Sequence, residues 1–175
     1  ANILDKSTSD DISAAWIDLW EDREIRCAIV TGKGARHFCG GHNLTPRPDL
    51  TEEDREFLRL QKVYWPLAGT VHGQSTGVDG RMGDHYPRVW KPVIAAVNGW
   101  AAGAGLYLLL SSTDIRIASA EHARFKFALL TQGWLGNGPG ASLLAQQLRY
   151  SDAMKILLTD EPFDAAEAHR IGLVN

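Results

Sequence analysis

Cysteine is close to absent: the 175 residues include two, Cys27 and Cys39, both inside apolar stretches. A disulfide-stapled secreted module is therefore excluded, and a reducing compartment such as the cytoplasm is expected. No C-x-x-C pair or matched His/Cys spacing occurs, so no metal site is expected. An excess of one charge is lacking as well. Eighteen Lys and Arg oppose 21 Asp and Glu, a net charge of −3 with 45% hydrophobic and 22% charged residues. That balance excludes a disordered chain and argues against nucleic acid as a partner. One apolar run, residues 93–110, approaches the lower length of a membrane span. Gly99, Gly103 and Gly105 punctuate it, and the Asn98-Gly99 turn dipeptide splits it into a strand and a helix, so no membrane partner is expected. The length suits one domain. The chain opens on Ala1 and stops just after Gly172-Leu173-Val174, ends that read as cuts through a longer protein.

What is present alternates between strand and helix signals. Residues 10–24 carry Ile12, Trp16, Leu19 and Trp20 on one helical face, with Ser7/Asp10 or Thr8/Asp11 available as a capping box. Residues 27–31 form a short apolar run ending at Gly32, which reads as a buried strand, and a loop is expected over 33–48. Thr51-x-x-Asp54 opens a helix carrying Phe57, Leu60 and Tyr64 and ended by Pro66, before a long polar loop over 68–90. A strand over 92–97 should turn at Asn98-Gly99 into an apolar helix that begins near 101–105. Short strands at 114–118 and 124–127 precede a glycine-rich loop at 133–140. Helices at 151–158 and 164–170 finish the chain, the second with Asp164-x-x-Glu167 as its capping box and Gly172 as its stop. The alternation predicts one α/β domain with a largely parallel sheet.

Chemistry concentrates where strands deliver small residues. The first N–H groups of a helix lack intrahelical acceptors, and its dipole favours negative charge there. At Ala102, Gly103, Ala104 and Gly105 little side chain blocks approach to those groups. A second small-residue loop, Gly40-Gly41-His42, follows the strand at 27–31. Two such loops could aim two N–H donors at one carbonyl oxygen, each worth about 3 kcal/mol to a developing oxyanion in a dry site. A dinucleotide fingerprint fails at both places: Leu108 and His37 stand where its last glycine belongs.

Residues 28–44 (AIVTGKGARHFCGGHNL), 91–119 (KPVIAAVNGWAAGAGLYLLLSSTDIRIAS) and 163–174 (FDAAEAHRIGLV) resemble, in order, three stretches of the crotonase, or enoyl-CoA hydratase/isomerase, superfamily. The resemblance implies a spiral of ββα units, here the central two-thirds of a family member without its first strands and C-terminal helices. It also implies an acyl-CoA thioester as substrate, no cofactor beyond that CoA, and a homotrimer or hexamer. By motif position the oxyanion donors are the amides of His42 and Ala104. Cys39, Gly40, Gly41, Asn43, Leu44, Ala102 and Gly103 would touch the substrate's CoA arm, and Leu129 would be a further substrate contact. Trp100 and Trp134, which flank the two glycine loops, are candidates for lining an acyl pocket.

Hydratases of this family place one glutamate on the buried helix and another after the following strand, because hydration needs a base for the water and an acid for the carbon. The matching positions here hold Tyr107 and Leu129. A third family position, an aspartate in several isomerases, falls near Asn137. The resemblance therefore implies an oxyanion hole without the usual acid/base pair. Hydration loses its standard route, and decarboxylation, hydrolysis or a non-catalytic CoA-binding role become alternatives. His72, Asp79, Asp84, His85 and Tyr86, in the long loop, are candidate substitutes for the acid or base.

Overall fold

The computed structural model describes residues 1–43, 52, 89–133 and 139–175. Strands come in consecutive pairs, and each pair divides between two sheets. The pairs are β2 (Ala28–Thr31) with β3 (His37–Cys39), β5 (Val93–Val97) with β6 (Trp100–Ala102), and β7 (Ile115–Ala118) with β8 (Arg124–Lys126). First members form a parallel sheet ordered β2-β5-β7. Second members form a parallel run β3-β6-β8, to which β9 (Phe163–Asp164) adds antiparallel. Helix α2 (Ala104–Ser112) follows β6, and α3 (Pro139–Gln147) comes after β8. Strand, strand, helix is thus the turn of a spiral. β1 (Ile3–Leu4) lies parallel to β4 (Gly41–His42), and α1 (Lys6–Glu21), α4 (Tyr150–Thr159) and α5 (Ala165–Arg170) complete the described elements.

The corner between the two sheets is pinned by Asn98. Its Oδ1 accepts the Gly32 N–H at 3.1 Å and its Nδ2 donates to Gly32 O at 2.8 Å, tying the exit of β5 to the exit of β2. Successive turns of the spiral therefore stack in register.

Helix α2 is apolar on every side, which only a central position satisfies. Eight of its nine residues are buried, Leu106 and Leu109 completely. Truncating either leucine to alanine should cost about 2–5 kcal/mol. At its C-terminal end, side chains take the carbonyls that no helical N–H reaches. Thr113 Oγ1 and Arg116 Nε donate to Leu109 O, and Gln147 Nε2 donates to Leu110 O. Burial pulls the Arg116 guanidinium below its ordinary pKa, and the charge of Asp114 opposes that shift. A cation there suits the negative end of the helix dipole. A cavity of about 500 Å³ opens beside this end, lined by Thr113, Asp114, Arg116, Gln147 and Asn175 among others.

Several expectations change. α1 begins at Lys6, ahead of residue 10, because Asp5 is its cap and accepts the Thr8 N–H at 2.9 Å. The strand at 28–31 is half exposed, with Ile29 at 68%, since alternate side chains of a strand face opposite ways and one face of this sheet is open among the described residues, as at Ile115 and Ile117. Cys27, just before it, is exposed, whereas Cys39 is buried. The loop expected over 33–48 contains β3 and β4. Asn98-Gly99 leads into β6, and the helix starts only at Ala104. α3 begins inside the stretch read as a glycine-rich loop. His37 is half-buried and His122 exposed. Apart from Glu52, the helix expected from Thr51 lies outside the described residues, as do His72, Asp79, Asp84, His85 and Tyr86 of the long loop.

The C-terminal cap follows the sequence more closely. Asp164 caps α5 by accepting the Glu167 N–H at 2.9 Å, and Gly172 stops it with φ +81°. The Glu167 carboxylate does not return to the cap. It takes two hydrogen bonds from Arg170, at 2.6 and 2.7 Å, which hold its pKa at about 2. A carboxyl depressed on folding stabilises fully above its unfolded range, near 4.3, and loses that contribution as pH falls from there through about 2. Thermal denaturation between pH 5 and 2 should therefore show Glu167→Gln losing less stability than the parent chain on acidification.

Candidate active site

Two glycines bring the small-residue loops together. A side chain at Gly41, whose φ is +89°, would place its Cβ 2.8 Å from Ala102 O and 3.0 Å from Ala104 N. At Gly105 a Cβ would fall 2.4 Å from Cys39 O. Backbone atoms cannot yield cheaply at such distances, so the two close approaches exist because neither residue has a side chain. β4 thus lies directly against the first turn of α2.

The amides of this junction point in definite directions. Asn43 N–H donates to Leu4 O at 2.9 Å. Alternate residues of a parallel strand bond the same neighbour, so the N–H of His42, paired opposite Leu4, is directed away from β1. Gly40 N–H goes to Ala1 O and Asn2 O at 3.1 Å. On the helix side, Gly103 (φ +53°) is the N-cap and donates to Lys126 O at 3.2 Å. The first intrahelical bonds are those of Leu106 and Tyr107 to Gly103 O, at 2.9 and 3.1 Å. Ala104, the first helical residue, precedes that ladder, at the positive end of the helix dipole.

Behind the junction the wall is apolar. Tyr107, one turn along α2 from Ala104, is 5% exposed; its ring centroid lies 5.3 Å from that of Phe127. On another side, a Cβ at Gly140 would fall 2.2 Å from Tyr107 Cε1. Leu129, two residues beyond Phe127, is buried in the same cluster. Among the residues matched by sequence, the structure brings together Cys39, Gly41, Ala102, Gly103 and Ala104, with Tyr107 and Leu129 in the adjoining core. Asn43 is exposed, His42 and Ala102 half-buried. Trp100, considered with Trp134 for the acyl pocket, is exposed on β6 at 37%. Leu44, Trp134 and Asn137 lie outside the described residues. Among the described residues no cluster of three or more His, Cys, Asp or Glu side chains could hold a metal ion, and no helix is long and apolar enough to cross a membrane.

Sequence reasoning passed over Phe127 and the turn after it. Ala128 has φ +58°, and Asp160, 2% exposed and at φ +50°, accepts its N–H. Nothing in local pattern marks these as partners 32 residues apart.

A sequence model of the family described as enoyl-CoA hydratase/isomerase matches residues 1–175. The (E)-benzylidenesuccinyl-CoA hydratase of Thauera aromatica is 34% identical over 175 residues, which cover 99% of this chain and 60% of that protein. The carnitinyl-CoA dehydratase of Proteus mirabilis strain HI4320 is 30% identical over 175 residues, covering 100% and 59%. A crystal structure of an enoyl-CoA hydratase from Mycobacterium tuberculosis H37Rv superposes with a TM-score of 0.73 at 29% identity, covering 99% of this chain and 59% of that one. The chain spans about 60% of the length of these relatives. With strand pairs divided between two sheets, a buried helix after β6 and a match along its whole length, the chain has the crotonase fold and belongs to the enoyl-CoA hydratase/isomerase family.

Proposed function

We propose that this protein processes acyl-CoA thioesters, holding the thioester carbonyl oxygen between the amides of His42 and Ala104. The observation that carries this reading is the 3.0 Å approach of the Gly41 Cβ position to Ala104 N, which sets the two strand-delivered loops side by side. Two N–H donors and a helix dipole aimed at one oxygen lower the energy of an enolate or tetrahedral oxyanion, and the surrounding apolar core strengthens them by excluding water. The similar proteins are named for hydration and dehydration of CoA compounds, which supports the substrate class. In this reading Cys39, Gly40, Gly41, Asn43, Leu44, Ala102 and Gly103 meet the CoA arm. Assembly as a trimer or hexamer in a reducing compartment such as the cytoplasm completes the proposal.

The acid/base set departs from that of a hydratase. Tyr107 and Leu129 stand at the two glutamate positions: leucine transfers no proton, and a phenol with a reference pKa near 10 is a weak base. Asn137, at the third position, carries a carboxamide, which accepts no proton at neutral pH and cannot serve as a base. This favours a second reading, decarboxylation of a malonyl-type thioester. Loss of CO2 leaves an enolate without any base, and an apolar wall of Tyr107, Phe127 and Leu129 does not repel the substrate's carboxylate.

Single-turnover assays with enoyl-, malonyl-type and aryl-CoA thioesters test both. Chemical conversion of at least one thioester is the expected result. Release of CO2 from the malonyl type alone would select the second reading, and hydration of the enoyl type would assign acid and base to side chains other than Tyr107 and Leu129. Binding of CoA thioesters with no conversion of any would overturn the enzyme reading and leave a CoA-binding subunit.

A further inference from the structure

The carboxylate of Asp160 is buried, and it grips a turn that belongs to another part of the chain. Its Oδ1 accepts the N–H of Ala128, and its Oδ2 accepts both the N–H and the Oγ1–H of Thr131, each at 2.9 Å. Asp160 ends α4 in the left-handed region at φ +50°, its own N–H donating to Ile156 O at 3.0 Å. At the other end of the grip, Ala128 is left-handed too, at φ +58°. Non-glycine residues in this region are strained and persist where their surroundings hold them, often beside functional sites. Between the gripped amides sit Leu129 and Leu130. The strand leading into this turn is fixed to the candidate site: Gly103 N–H donates to Lys126 O, and Phe127 packs on Tyr107.

We infer that Asp160 is a positioning residue which sets the acyl specificity of the site by fixing the 128–131 turn and, through it, Leu129. This rests on the acyl-CoA reading above. A carboxylate suits the task because it accepts three hydrogen bonds at once where an amide side chain offers a single acceptor oxygen. Charged acceptors also make the stronger bonds. The grip ties the end of α4 to the wall of the site, so movement of either displaces the other.

Two variants separate the carboxylate from the backbone. Asp160→Gly keeps the left-handed conformation without strain and removes the acceptor, and Asp160→Asn tolerates that conformation and keeps one acceptor. In the full chain, hydrogen exchange at the Ala128 and Thr131 amides should quicken at least about tenfold in Asp160→Gly, with Phe125 in β8 unchanged. Binding is read with CoA itself and with nonhydrolysable analogues, one short straight-chain and one aryl. The ratio of the two analogues' dissociation constants should change by about fivefold or more in Asp160→Gly, Asp160→Asn should fall between it and the parent, and the affinity for CoA should stay within about twofold. Quickened exchange with an unchanged ratio would reduce Asp160 to a structural clasp and overturn the inference, as would unchanged exchange. A parent chain that binds neither analogue would overturn the acyl-CoA reading and this inference together, and an intact exchange contrast would then assign the failure to that reading.

Discussion

Replacing Gly41 by alanine should damage folding and acyl-CoA turnover together, and more severely than the same change at Gly34. Both glycines have positive φ, +89° and +87°, but nothing lies within 4 Å of a Cβ at Gly34, whereas one at Gly41 meets Ala102 O and Ala104 N. The conformational penalty, on the order of 1–2 kcal/mol, is common to both. The steric term is not. Overpacking against backbone adds roughly 1–3 kcal/mol, so Gly41→Ala should lose about 2–5 kcal/mol and Gly34→Ala about 1–2. At roughly 2–4 °C per kcal/mol for a chain of this size, the difference is readily seen in a thermal melt. The catalytic effect is larger still. Relief of the clash requires β4 to move away from α2, and a displacement of about 1 Å between groups holding one substrate atom costs on the order of 100-fold. The kcat/KM of Gly41→Ala should fall by that factor while Gly34→Ala stays near the parent value. Equal losses at the two positions would mean that the β4–α2 approach has no part in the chemistry.

The second large effect separates one amide from the packing around it. Ala104 is the first residue of α2, the helical position where proline is tolerated because its φ suits the helix and its missing N–H has no helical acceptor. Ala104→Pro therefore removes a donor and puts Cδ in its place with little demand on the helix. We expect kcat/KM to drop by about 10²- to 10³-fold, the usual cost of one oxyanion donor, a larger loss than any fall in melting temperature accounts for. Ala104→Gly, which keeps the N–H, should stay close to full activity. A proline variant that loses stability and activity in proportion would point to a disrupted helix and away from a lost donor.

The parts of this molecule legible in its sequence are those that local chemistry specifies. An unbroken apolar surface from Leu106 to Leu110 admits only a central helix, Asp164 meets the Glu167 amide three residues on, and Gly172 supplies a left-handed stop. β3, β4 and β6 were not legible. They are two or three residues long, too short for a period, and exist because parallel partners are already in place: β1 for β4, β6 for β3, β8 for β6. Asn98-Gly99 has the composition of a hairpin turn, yet it turns the chain from one sheet into the other, and Asn98 spends its amide on Gly32 rather than on its own turn. The start of α1 was misplaced because Ser7, Thr8, Asp10 and Asp11 all offer cap chemistry alongside Asp5, and packing chose among them. Of the site, the small-residue loops were legible and so was their convergence, given the family resemblance. The Asp160 grip on Ala128 and Thr131 was not, since it joins the end of one helix to a turn about 30 residues earlier and depends on two left-handed residues that composition does not announce.

In the proposed function one carbonyl oxygen receives hydrogen bonds from both His42 and Ala104. Isotope-edited infrared spectroscopy of a nonreactive acyl-CoA analogue, labelled with 13C at the thioester carbonyl, reads those bonds directly, because each donor weakens and lowers the C=O stretch. With both amides on that oxygen, the stretch should shift clearly downward on binding to the parent chain and less on binding to Ala104→Pro. A carbonyl frequency in the parent complex equal to that of the free thioester, or one unaffected by the proline, would contradict that arrangement.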